Sequence, residues 1–174
     1  PVRVWGQAST AGSLVAVQVY RSGTLSGETC YLATDGGIFE GYLPAQSYGT
    51  GCSLRIITEE GKYIEYTDIA FGELFLAGGQ SNMGWTMNQC KTPDGGQLYA
   101  QIIANSDNDD IRLGGIAPLA TETAREWNDK GTAQIFWSKA SASSVTGYSA
   151  AAYFFIREMY DLYRVPCGIM TGCM

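Results

Sequence analysis

The chain has 174 residues, 45% of them hydrophobic, which suits one ordinary domain, or a small domain joined to part of another, and excludes a disordered polymer. Its 11 Lys and Arg against 17 Asp and Glu leave a net charge of -6. Those basic residues are scattered singly, so neither nucleic acid nor an anionic membrane is expected as a partner. The most apolar stretches, around 69–77 and 150–156, are too short to cross a bilayer or run into Arg157 and Glu158, so no membrane span is expected.

The first residue is Pro1 rather than methionine, which leaves room for a signal peptide ahead of it and leaves localisation open. Cys30, Cys52, Cys90, Cys167 and Cys173 contain no C-x-x-C pair, and there is no histidine, so a zinc site of the usual ligands is not expected. Most of these thiols read as small buried hydrophobes. Cys30 and Cys52, in or beside strand-like segments, are the pair to bridge in an exported protein.

In chain order, residues 2–5, 14–20, 29–34, 39–43, 53–58 and 63–66 read as short strands separated by turn signals such as Asp35-Gly36-Gly37 and Glu60-Gly61. Over 14–20 the β-branched residues alternate with others, the period of a half-buried strand. These segments predict a small antiparallel β-sandwich over residues 1–68. From residue 69 the grammar becomes α/β: an apolar strand at 73–77, a glycine turn, a short helix at 97–104, and strands at 111–116 and 134–139. Ser149 is the expected N-cap of a helix over 150–163, with Ala151, Phe155, Met159 and Leu162 on one face and Arg157, Asp161 and Arg164 on another. Pro166 stops that helix, and Cys167-Gly168-Ile169-Met170 begins a further strand of an unfinished domain, 69–174.

The chemistry-bearing residues sit in Gly79-Gln80-Ser81-Asn82-Met83. A serine hydroxyl is a weak nucleophile until it stands on a tight turn, beside a base and facing backbone N–H donors. Strand 73–77 followed by Gly78-Gly79 supplies such a turn, with Ser81 where side chains emerge beyond a strand's carboxyl end. On this local pattern alone, Ser81 and Asn82 serve equally well as caps of the following segment.

The run Gly79-Gln80-Ser81-Asn82-Met83 followed by Trp85 resembles the first sequence block of the sialate O-acetylesterase branch of the SGNH hydrolases. Residues 71–78 resemble the strand leading into that block, 109–113 the family's second core strand, 145–158 its helix entry and 165–170 the strand after it. Val4-Trp5-Gly6-Gln7-Ala8 resembles the opening of the small β-domain that precedes the hydrolase domain. The resemblance implies the first part of a doubly wound parallel-sheet hydrolase with Ser81 as nucleophile and backbone oxyanion donor. It implies Gly147 as a possible second donor ahead of a helix N-terminus, with Gln80, Asn82 and Trp85 near the substrate.

It further implies an O-acetylated carbohydrate substrate, no cofactor or metal, and a secreted, periplasmic or lumenal setting. Gly84 stands where the family usually has Glu, which leaves the choice of sugar open, and Gln80 stands where many SGNH enzymes have Asp. The family's third block would begin near Thr171-Gly172-Cys173-Met174, and its His and Asp lie further along. A downstream segment or second chain is therefore expected to supply them, and this chain alone is expected to be inactive, with apolar surface open at 111–113 or 169–170. The rival reading is a non-catalytic glycan-binding or assembly module built on the β-sandwich.

Other groups read as structural. The run Asp107-Asn108-Asp109-Asp110 lacks the Gly and distant Glu of a calcium loop. Trp85, Trp127 and Trp137 suit packing as well as sugar stacking, and Glu59-Glu60 reads as surface charge in a hairpin turn.

Overall fold

A computed structural model describes residues 1–9, 12–91, 95–116 and 135–173, with the side chain of Cys173 outside it. Trp127, Gln134 and Met174 lie outside the described residues. The chain divides into two compact units, Pro1–Phe71 and Gly72–Met174.

The first unit is built from β1 (Val2–Gln7), β2 (Leu14–Arg21), β3 (Thr24–Leu25), β4 (Cys30–Asp35), β5 (Ile38–Leu43), β6 (Gly49–Thr58) and β7 (Tyr63–Phe71). These form one seven-stranded sheet of order β1-β5-β4-β2-β6-β7, with β3 paired to β2, and every named pair is antiparallel. The alternation over β2 works as the sequence predicts: Val15, Val17 and Val19 are buried and the residues between them face outward. They pack with Val4, Phe39 and Leu43 in one core.

Two separate sheets were expected of a sandwich; the structure has one continuous hydrogen-bonded path that curls. The reason lies in β4, whose residues 30–33 pair with β2 while Thr34 and Asp35 pair with Phe39 and Ile38 of β5. A single strand thus turns the corner, and the two arms of the sheet close on the same valines. Cys30 and Cys52 are free thiols, not a bridge. Cys30 lies opposite Val17 on one side of β2 and Cys52 opposite Arg21 on the other. Two strand spacings, about 9–10 Å, exceed the roughly 7 Å that a disulfide spans between Cα atoms.

The second unit contains β8 (Glu73–Gly79), 3-10 turns at Ser81–Gly84 and Met87–Gln89, α1 (Gln97–Ala104), β9 (Asn108–Ile116), β10 (Ile135–Ala140), α2 (Ala142–Thr146), α3 (Ala150–Tyr163) and β11 (Cys167–Cys173). Its four-stranded sheet is mixed, in order β10-β9-β11-β8. β11 runs parallel to both β8 and β9, and β10 closes the other side antiparallel. The α/β expectation holds in that parallel strands and helices alternate. The strand before Ser81, β8, is an edge of this sheet among the described residues, and β11 is interior.

Ser149 caps α3 as expected, its hydroxyl accepting from the Ala152 N–H at 3.3 Å. The buried stripe of that helix is Ala150, Ala152, Tyr153 and Ile156. The neighbouring stripe, Ala151, Phe155, Met159 and Leu162, is partly or fully exposed. Both stripes are apolar, so periodicity alone does not choose between them. Ile111, Leu113 and Ile169, expected to line an open side, are buried in the core that includes this helix. On β8 the open apolar positions are Leu74 and Leu76, at 66% and 73% exposure. They alternate along β8 with Phe75 and Ala77, which pack against the core.

Candidate active site

At the end of β8 the chain turns through Gly79 and an extended Gln80 (φ -144°, ψ 173°) into Ser81. Ser81 has φ +51°, in the left-handed region that a side chain rarely adopts. The turn is held from within: the Met83 N–H donates to the Gln80 carbonyl at 3.2 Å and the Trp85 N–H to the Asn82 carbonyl at 3.3 Å. A Cβ at Gly79 would come within 3.2 Å of the Met83 Cβ, so glycine lets the strand end pack closely on the turn. The Ser81 side chain is exposed and makes no hydrogen bond among the described residues. Gln80 and Asn82 are exposed beside it, and Trp85 is 53% exposed.

A second segment braces this turn. Thr86 bridges antiparallel to Ser149. On either side of that bridge the Met87 N–H donates to the Tyr148 carbonyl at 3.0 Å and the Ala150 N–H to the Trp85 carbonyl at 2.9 Å. The Ser149 hydroxyl also lies 3.6 Å from the Met83 sulfur. Tyr148 anchors the brace to the sheet: its hydroxyl, 2.7 Å from the Gly114 carbonyl and 2.9 Å from the Ile169 carbonyl, ties β9 to β11. The serine turn and the start of α3 are thereby held together, and Gly147 stands one residue before this clamp. Its N–H is directed to the Val145 carbonyl as the C-cap of α2.

Beside Gly147 and Tyr148 lies a cleft of about 540 Å³, bounded also by Phe136, Ser138, Lys139 and serines of the α2 entry; Ser81 is not in its wall. The acidic run is spent structurally. Asp107 accepts from the Ala142 N–H, Asp109 pairs with Lys139 at 3.4 Å, and Asp110 accepts from the Tyr160 hydroxyl. Among the described residues no group of three or more His, Cys, Asp or Glu converges to hold a metal. Trp137 lies over Gly114, where a Cβ would sit 2.7 Å from its ring, so it serves the sheet rather than the turn. Glu59 accepts from the Leu14 N–H and Glu60 pairs with Lys62, as surface charges do. Shifted pKa values in this unit belong to core groups: burial raises both the Tyr153 phenol and the Cys167 thiol.

Sequence reasoning picks out the serine turn through its glycines and misses the brace. Trp85–Met87 and Tyr148–Ala150 carry no pairing signal of their own, since an isolated bridge between distant segments has no period. A Tyr directly before a Ser N-cap is the only local hint.

No family model matches the chain. In sequence it is similar to the sialate O-acetylesterase of Homo sapiens, 27% identical over 110 residues, which is 60% of this chain and 20% of the human protein. The Mus musculus sialate O-acetylesterase is 26% identical over 110 residues, again 60% of this chain and 19% of that protein. The chain thus spans about a fifth of the length of the curated relatives it matches. In fold it is similar to the crystal structure of XAC1771, described as a novel carbohydrate acetylesterase from Xanthomonas citri, with a TM-score of 0.81 and 25% identity. That likeness covers 98% of this chain and 36% of the Xanthomonas chain. The likeness is therefore to sialate O-acetylesterases in sequence and to a carbohydrate acetylesterase in fold, over a portion of those proteins.

Proposed function

We propose that the chain is part of a carbohydrate esterase that removes O-acetyl groups from sugars. It would comprise a β-domain (1–68) and the first part of an SGNH-like α/β hydrolase domain (69–174). The observation that carries this reading is Ser81 itself. It is a non-glycine residue in a left-handed conformation, immediately beyond a parallel strand, with its hydroxyl exposed and unengaged among the described residues. Strain of this kind gathers at functional turns. Ser22 in the β2–β3 turn and Arg164 at the end of α3 share the conformation, so the reading rests on the strain together with the place of Ser81 beyond a parallel strand and its exposed hydroxyl.

In the proposed reaction the Ser81 oxygen attacks the acetyl carbonyl while a base accepts its proton, and the negative charge develops on the carbonyl oxygen. The Ser81 N–H is the first oxyanion donor, and Gly147 becomes a second once its N–H turns from the Val145 carbonyl. Collapse breaks the ester C–O bond and releases the sugar hydroxyl with the proton returned. Water then cleaves the acyl-serine. The chain holds no histidine, so His and its Asp are assigned to a downstream segment or second chain. Gln80, Asn82 and Trp85, exposed around the serine, are assigned to the sugar.

The test is acetyl-ester hydrolysis and fluorophosphonate labelling by the chain joined to its downstream segment, with and without Ser81→Ala. Labelling and turnover that survive the substitution would remove Ser81 as nucleophile.

A further inference from the structure

The outward face of β2, β4, β6 and β7 carries a feature unrelated to Ser81. Directly paired residues share a face, so one row across the sheet reads Tyr31, Ala16, Ile57, Tyr63. Tyr31 and Tyr63 are 67% and 58% exposed. Three strand spacings, about 14 Å, separate them, with the smaller Ala16 and Ile57 between.

The adjacent row is polar and internally ordered. Arg55 stacks against Tyr20 (4.5 Å to the ring centroid) and Tyr63 (4.7 Å) and pairs with Glu65 at 3.2 Å. Glu65 also accepts from the Ser53 hydroxyl at 2.8 Å, and Gln18 links the Tyr20 hydroxyl to Thr29. A guanidinium clasped between two rings has lost its rotamer freedom in advance.

We propose that this face is a binding platform for an uncharged stretch of polysaccharide. The C–H faces of sugar rings would lie on Tyr31 and Tyr63, and sugar hydroxyls would meet Arg55, Glu65 and Gln18. Charge decides the class. Arg55 is matched by Glu65, so the platform is neutral and offers donors and acceptors together, which suits a polyol. An anionic polymer would meet a chain of net charge -6 with no surplus cation on this face. Two exposed rings with Ala16 and Ile57 between them suit the alternating apolar and hydroxylated surfaces of linked sugars. The ligand class rests on the carbohydrate reading above; the site does not, since it shares no residue with the serine turn.

The experiment is affinity gel electrophoresis of the full chain in soluble acetylated xylan, acetylated glucomannan and polysialic acid, with chromatographic mass measured alongside. Retardation by a neutral polymer is expected. Tyr31→Ala or Tyr63→Ala should weaken it about tenfold, Tyr63→Phe should retain it, and Ser81→Ala should leave it unchanged. No retardation by either neutral polymer overturns the proposal, as does retardation by polysialic acid alone. Retardation indifferent to both tyrosines, or a change of oligomeric mass in the variants marking a contact between copies, overturns it equally. Loss of binding while Ser81 still labels in the complete assembly would sink the platform alone, and the converse would sink the esterase reading alone.

Discussion

Ser81→Gly should make the protein more stable while abolishing any acyl transfer. A side chain in the left-handed region costs about 1–2 kcal/mol from the clash of Cβ with the following carbonyl. Ser81 carries that cost at φ +51° without a hydroxyl hydrogen bond among the described residues to offset it. Glycine removes the clash but adds about 0.5–1 kcal/mol of backbone entropy to the unfolded chain. The net gain is therefore centred at about 0.75 kcal/mol, or roughly 1.5–3 °C in Tm for a protein of this size. Ser81→Ala keeps the Cβ and should leave Tm near the wild-type value.

Arg164, with φ +53° at the C-cap of α3, serves as a comparison site remote from any catalytic role. Arg164→Gly should stabilise by a similar amount, reduced by the loss of its exposed pairing with Asp161. The assay is thermal unfolding of the three variants beside wild type. A lower Tm for Ser81→Gly, or equal Tm values for the Gly and Ala variants, would refute the claim that Ser81 is held under strain.

Tyr148→Phe should cost about 1–3 kcal/mol in urea unfolding, because Tyr148 is 6% exposed and its hydroxyl serves the Gly114 and Ile169 carbonyls. It should also speed amide exchange at Met87 and Ala150; unchanged exchange would show that Tyr148 does not anchor the brace. The isolated chain, without histidine, should show no acetyl-ester hydrolysis above a Ser81→Ala control, and clear Ser81-dependent turnover would overturn the assignment of His to another segment. Glu65 is held below the usual glutamate range by its bond from the Ser53 hydroxyl and then by Arg55. A depressed carboxylate pKa adds stability above its unfolded value and loses it as pH falls through the folded one. Stability should thus decline from the ordinary glutamate range downward, and Glu65→Gln should flatten that part of the profile in urea titrations at successive pH values.

What the sequence by itself determined is what neighbouring residues decide. The valine alternation of β2, the Ser149 cap with α3 over Ala150–Tyr163, and the glycines ahead of Ser81 are all read from spacings within a few residues. Periodicity and capping are local physics, and they survive into the fold. Everything that required two distant segments to choose each other was left to the tertiary structure. Two apolar stripes on α3 compete, and only packing against Ile111, Leu113 and Ile169 selects the Ala152–Tyr153–Ile156 side. Backbone pairing places β11 between β9 and β8, although the chain visits β8 first. The same nonlocal pairing puts Cys30 and Cys52 on opposite sides of β2 and brings Trp85–Met87 against Tyr148–Ala150. The serine turn was therefore legible, but the brace that holds it was not. Its hydrogen bonds join backbone groups of segments some sixty residues apart, and backbone N–H and C=O groups are the same in every non-proline residue, so no side-chain pattern announces which will meet.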